Sequence, residues 1–134
     1  MAPDPTSARP GASGWVFADT WVLASIGVYQ RRCTLVELIA AGDWMNHAVL
    51  ETDELDGALG KLVGSGLVRI YDDWTFELTD EGTSLFAAEN RSIQTQLELI
   101  GAELAARTPE PVPVRLPSGA VATAVAEYQQ PRQS

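Results

Sequence analysis

The chain has 134 residues, of which 46% are hydrophobic, and this length suits one domain with a modest core. Its formal net charge of −9 comes from 18 acidic residues against nine lysines and arginines, so the average field repels phosphate backbones and anionic membranes. The single cysteine excludes an internal disulfide, and neither a secretion signal nor a membrane-spanning stretch is recognisable, so we expect a cytoplasmic protein.

The chain begins with a segment that has almost nothing to bury. The first 14 residues, MAPDPTSARPGASG, are rich in proline, glycine, serine and alanine, a composition typical of a disordered leader. Asp19 or Thr20 then provides a cap for a first helix. Apolar residues recur in this helix at core-facing spacing, namely Val22, Leu23, Ile26 and Tyr29. We therefore expect structure to start near Trp15.

Two further helices have clear sequence signals. Thr34, with Glu37 three positions later, forms a capping-box pattern that starts the second helix at Leu35. The third helix starts at Thr52, and its apolar residues follow helical spacing throughout: Leu55, Ala58, Leu59, Leu62 and Val63. The glycine-rich sequence that follows ends this helix, with Gly66 at positive φ.

A short β-hairpin is predicted after the third helix. The segments LVRIY and TFELT are rich in β-branched and aromatic residues, and they flank Asp72, Asp73 and Trp74. The intervening loop lacks the Asn-Gly signature, so its turn type stays open.

The last third of the chain predicts mainly helix. A long helix is expected over 81–106, before a stretch with three closely spaced prolines, and a short helix is expected from Ser118. The fold class is therefore mostly α with a small β-hairpin. We divide the chain into a domain over 15–106 and a proline-rich linker with a short C-terminal helix or tail over 107–134.

The third helix and the hairpin carry the patterns LxxALxxLVxxGLV and FxLTxxG. The residues that form them are Leu55, Ala58, Leu59, Leu62, Val63, Gly66, Leu67 and Val68, then Phe76, Leu78, Thr79 and Gly82. Over roughly residues 19–106 the chain resembles bacterial winged helix-turn-helix regulators of the multiple-antibiotic-resistance and phenolic-acid-repressor types, and it is similar to uncharacterised acidic winged-helix proteins. The resemblance implies a winged helix-turn-helix with a long C-terminal helix. It implies no activity, because the matched positions are packing or turn positions.

Charge separates this chain from that family, in which the exposed face of the third helix and a basic wing contact DNA. Between Asp43 and Glu81 there are ten acidic and two basic residues, a local balance of −8. Phosphate neutralisation supplies nearly all non-specific DNA affinity, so this surface lacks the usual source of binding. We therefore predict a non-enzymatic module that acts by protein–protein interaction or regulation. The predicted partner-binding residues are Asp53, Glu54, Asp56, Gly57, Gly60, Lys61, Asp72, Asp73 and Trp74.

The alternative is a dimeric DNA-binding transcriptional regulator. The residues available for phosphate contact are Arg31, Arg32, Lys61 and Arg69, with Arg9 in addition. The family resemblance favours this alternative and the local charge opposes it. Part of the acidity also needs no partner, since Asp53 and Glu54 lie in the first turn of their helix and complement its dipole by about 0.3–1 kcal/mol each.

Three glycines fall on the predicted solvent side of the third helix. Each of Gly57, Gly60 and Gly64 costs about 0.8–1 kcal/mol relative to alanine. One interpretation is that a partner helix or loop approaches this backbone closely. The other, which we favour, is a GC-rich coding sequence, because the chain has eight arginines, one lysine and many alanines and glycines.

Residues along one face of the predicted long helix follow a heptad-like spacing, and we call them the dimer seam. They are Phe86, Asn90, Ile93, Leu97, Ile100 and Leu104. We predict a homodimer through this stripe. The alternative is that the stripe covers the domain's own core, which we expect at its Phe86 end.

The sequence offers little material for catalysis or metal binding. Cys33 and His47 are the only residues of their types, and we favour a buried thiol over a Cys–His pair. Asp43, His47 and Glu51 are spaced by four, but their helix is expected to unwind before Glu51. We therefore predict no metal site and no cofactor.

Two tryptophans are candidate anchors for a protein contact. We expect Trp44 to pack in the core, whereas both burial and exposure stay open for Trp74.

Overall fold

The computed structural model describes residues 14–85 and 92–129, which are mostly helical with a small antiparallel sheet. The helices are α1 (Phe17–Gly27), α2 (Leu35–Asn46), α3 (Thr52–Gly64), α4 (Asp80–Leu85), α5 (Ile93–Ala105) and α6 (Ala120–Gln129). The strands are β1 (Cys33–Thr34), β2 (Val68–Ile70) and β3 (Thr75–Leu78). The predicted leader lies outside the described residues except for Gly14.

Local sequence signals place the starts of α2 and α3 as predicted. The hydroxyl of Thr34 accepts a hydrogen bond from the backbone N–H of Glu37 at 3.1 Å, and the Glu37 carboxylate accepts one from the N–H of Thr34 at 2.9 Å. At α3 the carboxylate of Glu54 accepts from the N–H of Glu51 at 2.9 Å. Gly66 has a φ of +80°, which lets the chain leave α3 directly into β2.

The sheet has three strands in the order β1-β3-β2, and both pairs are antiparallel. The predicted hairpin is confirmed as β2 and β3, with Arg69 opposite Glu77. The two-residue β1 was not predicted, because it is too short to show an alternating pattern. It places Cys33 opposite Phe76 and so joins the start of α2 to the hairpin.

The core surrounds α1, which packs against α2, α3 and α5. Every residue of α1 from Asp19 to Gly27 is buried, a wider face than the predicted apolar stripe. The prediction of Asp19 or Thr20 as the cap was wrong, because Val16 is the cap residue. The carboxylate of Asp19, at the N3 position of the helix, accepts a hydrogen bond from the N–H of Val16 at 2.8 Å. The largest fully buried side chains include Phe76, Leu23, Ile26, Leu38, Ile39, Leu55, Leu59 and Leu62.

The prediction of one long helix over 81–106 was wrong. Ser92 has extended backbone, with φ −65° and ψ 156°, and its hydroxyl caps α5 by accepting from the N–H of Thr95 at 3.1 Å. A residue in this conformation ends helical hydrogen bonding, so α4 and α5 are separate helices. Phe86 and Asn90 lie outside the described residues.

The C-terminal region packs onto the same core as the rest of the chain. The predicted short helix is confirmed as α6, and its Val121 and Ala124 are buried together with Leu116. The Tyr128 hydroxyl donates to the carboxylate of Asp43 on α2 at 2.6 Å. Among the described residues, no helix is long and apolar enough to cross a membrane.

One ion pair links α1 and α3 at the edge of the core. The Lys61 ammonium lies 2.8 Å from the carboxylate of Asp19, whose side chain is 1% exposed. The ammonium also donates to the carbonyl of Gly14 at 3.2 Å. The Asp19 charge is therefore held out of water and balanced by Lys61.

Removing this cation should destabilise the protein strongly. Lys61→Met leaves the Asp19 carboxylate buried without its counter-charge, and we expect unfolding in urea, followed by tryptophan fluorescence, to show a loss of about 3 kcal/mol. Adding Asp19→Asn, which removes the unbalanced charge and keeps an acceptor for Val16, should recover part of that loss. A loss below about 1 kcal/mol in the single variant, typical of exposed pairs, would contradict this role.

Candidate functional site

The predicted partner-binding face of α3 is only partly open to solvent. Asp53 and Gly57 are exposed, as expected. Glu54 is half-buried and occupied in capping α3. The predicted exposure of the other three positions was wrong, because Gly60 is buried and the half-buried Asp56 and Lys61 bond to other parts of the chain.

A proline-rich stretch, residues 109–116, covers this face of α3, and we call it the C-terminal strap. It runs antiparallel to the helix. The N–H of Glu110 donates to the hydroxyl of Ser65 at 3.1 Å, and the N–H of Val112 donates to the carbonyl of Gly60 at 3.0 Å. The N–H of Leu116 donates to the carboxylate of Asp56 at 3.0 Å. The strap therefore follows α3 from its last turn back to its second.

Two glycines of α3 make this contact sterically feasible. A Cβ on Gly60 would lie 2.5 Å from the carbonyl oxygen of Val112, and one on Gly64 would overlap the carbonyl oxygen of Glu110. A Cβ on Gly57 would meet nothing within 4 Å. A segment does approach the backbone of Gly60 and Gly64 closely, but it is the chain's own strap and not the partner helix or loop of our interpretation. Gly57 has no such contact, and the explanation by composition stays untested.

The loop of the β2–β3 hairpin presents two aspartates to solvent. Asp72 is exposed, and the side chain of Asp73 is 63% exposed. Asp73 accepts a hydrogen bond from the Thr75 hydroxyl at 2.7 Å, which together with Arg32 holds the pKa of its carboxyl below the usual value. The Asp73 carboxyl therefore stays charged at neutral pH.

Trp74 closes the same loop in an unusual backbone conformation. Its φ is +57°, a region that non-glycine residues seldom adopt, and its N–H donates to the carbonyl of Tyr71 at 2.9 Å. The ring is half-buried against the core and borders a shallow cleft shared with Leu35, Pro117 and Ala120. Trp74 therefore lies at the same cleft as the segment that leads from the strap into α6.

Every described cation of the proposed DNA-binding set is paired with a carboxylate of the same chain. Arg31 makes two hydrogen bonds to Glu37, at 2.8 and 3.1 Å. The remaining ion pairs are Arg32 with Asp73 at 3.3 Å, Lys61 with Asp19 at 2.8 Å and Arg69 with Glu77 at 3.7 Å. Arg32 also lies over the ring of Tyr71, 3.6 Å from its centre. A phosphate would have to replace these partners. Arg9 lies outside the described residues.

The predicted dimer seam is largely used inside the chain. Ile100 and Leu104 are fully buried in the core, so their assignment to a dimer contact was wrong. Ile93 is half-buried, and Leu97 packs partly against the core. Heptad spacing describes a helical stripe equally well whether it faces the chain's own core or a second copy, and here it faces the core.

The candidate catalytic and metal residues do not form a site. Cys33 is buried, and burial raises the pKa of its thiol to about 12, so the reactive thiolate is not formed at neutral pH. Cys33 precedes α2 and His47 follows it, which separates them by a helix about 18 Å long. Among the described residues, no group of three or more His, Cys, Asp or Glu side chains has a geometry that holds a metal, and this includes Asp43, His47 and Glu51.

Three features were missed or misplaced by the sequence reasoning. Trp44, expected in the core, is 62% exposed. Between α1, α2 and α5 lies an apolar cavity of about 680 Å³, bordered by Trp15, Phe17, Met45, Leu97 and Glu98. The strap was also read only as a linker, although prolines at every second position, 109, 111 and 113, are a signal of an extended segment.

Comparison with known proteins adds no relative. No protein-family model matches the chain, and neither a curated protein nor a solved structure matches it significantly.

The Arg31–Glu37 pair predicts a pH dependence of stability. The hydrogen bond to Arg31, and to a smaller extent that to the N–H of Thr34, lowers the pKa of Glu37 below its usual 4.5. The Glu37 charge therefore contributes to stability above pH 4.5, and this contribution is lost as the pH falls below that value. Glu37→Gln keeps an acceptor for the Thr34 N–H but removes the charge. Urea unfolding at several pH values should show wild type more stable at neutral pH, with the difference vanishing as the pH falls below 4.5. A difference that does not change with pH would show that the ion pair contributes nothing.

Proposed function

We propose that this chain is a winged helix-turn-helix module. The order of its elements supports this, because α2 and α3 are joined by a short turn and are followed by the β2–β3 hairpin in the position of a wing. The strand β1 completes a three-stranded sheet before α2. The packing residues quoted for the family resemblance are consistent with it, since Leu55, Leu59 and Leu62 are fully buried on α3.

We further infer that the module acts without enzymatic activity, by protein–protein interaction or regulation in the cytoplasm. The observation that carries this inference is the pairing of Arg31, Arg32, Lys61 and Arg69 with carboxylates of the same chain. Asp53 on α3 and Asp72 and Asp73 in the hairpin loop are each exposed to solvent. Exposed acidic groups of this kind favour a basic or polar protein partner over a polyanion.

The second candidate is DNA binding by a transcription regulator, which the helix-turn-helix order favours. It requires Arg31, Arg32, Lys61 and Arg69 to leave their carboxylates and contact phosphates. It also requires α3 to approach DNA although the strap lies against Gly60 and Gly64. We place it second because both requirements oppose binding.

Titrations followed by ¹⁵N NMR separate the two candidates. A short peptide rich in lysine and arginine should shift the amides of Asp53, Gly57 and Asp72 at low salt, and the effect should weaken as salt rises because the attraction is electrostatic. A duplex DNA of arbitrary sequence should leave these amides unchanged. Tight low-salt binding of the duplex, with shifts on α3, would instead favour the DNA-binding alternative.

A pair of charge-matched variants provides the control. Asp53→Lys with Asp72→Lys reverses the acidic surface and should abolish the peptide-induced shifts. Glu98→Lys with Glu103→Lys makes the same change in net charge on the exposed face of α5 and should leave them largely intact. Equal loss in both variants would show that only net charge matters and would reject a defined surface.

A further inference from the structure

The C-terminal strap is held firmly at its two ends and lightly between them. Near its start, the guanidinium of Arg107 lies 2.8 Å from the carboxylate of Glu81. At its end, Leu116 is 4% exposed and belongs to the core. Between these anchors Glu110 is exposed and the side chain of Val112 is 41% exposed. Residues 110–113 are all exposed, whereas Val114 is half-buried and packs against the core, so only residues 110–113 are lightly held.

The contact of this middle part with α3 is made by backbone groups. The N–H groups of Glu110 and Val112 donate to Ser65 and Gly60, and the carbonyls of the same two strap residues occupy the space that side chains at positions 64 and 60 would need. Prolines at 109, 111 and 113 carry no N–H and hold the segment extended. Opening this part would break two hydrogen bonds and leave the buried Leu116 in place, so it needs no unfolding of the core.

The strap also affects the charge of the α3 surface. Its exposed Glu110 lies beside Ser65 at the far end of α3, its exposed Arg115 lies next to Leu116, and the N–H of Leu116 donates to the carboxylate of Asp56. A basic partner placed along α3 would be attracted by the carboxylates of Asp53 and Asp56 near the start of the helix. The strap and such a partner cannot occupy the Gly60 and Gly64 backbone at the same time.

We propose that residues 110–113 of the strap form an autoinhibitory contact that competes with a basic protein partner for the α3 surface. This proposal rests on the proposed function, because it regulates the same surface. The closed chain exposes only Asp53, Gly57 and the hairpin loop to the partner. Opening of residues 110–113 adds the backbone of Gly60 and Gly64, while Asp56 stays bonded to the N–H of Leu116.

Three glycine variants test the contact. Gly60→Ala and Gly64→Ala place a methyl group where the strap carbonyls lie, whereas Gly57→Ala makes the same change on α3 in open space. Hydrogen exchange at the Glu110 and Val112 amides should be at least tenfold faster in the first two variants and unchanged in Gly57→Ala. Equal exchange in all three would overturn the proposal, because the strap would then not be seated on α3.

A variant in the strap itself tests the same contact without changing α3. Val112→Pro removes the N–H that donates to Gly60, while the φ of proline suits an extended segment. It should speed exchange of the neighbouring Glu110 amide and leave the exchange of core amides in α1 unchanged. If a glycine variant loses hydrogen-exchange protection throughout the chain, that variant has unfolded. The exchange rates of Val112→Pro then decide whether the strap is seated on α3.

Binding of the same lysine- and arginine-rich peptide then tests competition. We expect Gly60→Ala, Gly64→Ala and Val112→Pro to bind it several-fold more tightly than wild type, with Gly57→Ala equal to wild type. If all five proteins bind equally although exchange is faster in the opened variants, the strap is merely structural and the autoinhibition is overturned while the proposed function stands. If none binds at any salt concentration, the proposed function fails and the autoinhibition with it.

Discussion

The arrangement of the site depends on the close approach of two backbones, α3 and the C-terminal strap. This approach requires that positions 60 and 64 carry no Cβ, because the carbonyls of Val112 and Glu110 occupy that space. Glycine within a helix is unfavourable by about 0.8–1 kcal/mol relative to alanine, so the contact offsets a cost that the isolated helix would bear. It also fixes the path of the chain toward Leu116 and α6, which packs against α2.

Electrostatics sets the character of the surface that remains open. Lys61, Arg32 and Arg69 near α3 and the hairpin are already bonded to carboxylates, whereas the acidic Asp53 and Asp72 face solvent. The pairs differ in strength, since Lys61 and Asp19 are shielded from water whereas the Arg32 and Asp73 side chains are 48% and 63% exposed. An exposed pair exchanges readily with another charged group, and a shielded pair does not.

The sequence predicts the elements that depend on local patterns and misplaces those that depend on distant contacts. The capping box at Thr34 and the apolar spacing of α3 are local, and both were predicted correctly. The burial of Ile100 was assigned to a dimer because its spacing does not distinguish the chain's own core from a second copy. The burial of Gly60 depends on a segment about 50 residues later, which no pattern within α3 reveals. The candidate DNA-binding cations were named from the sequence, but the carboxylates that pair with them were not predicted.

A measurement of distances between protons of α3 and of the strap in solution tests the central claim most directly. With the strap seated, nuclear Overhauser spectra should show strong cross-peaks between the α-protons of Gly60 and Gly64 and protons of residues 110–113, and the α-protons of Gly57 should show none to the strap. If the internal cross-peaks of α3 are present but those to residues 110–113 are absent, the helix is formed without its cover and the account is contradicted.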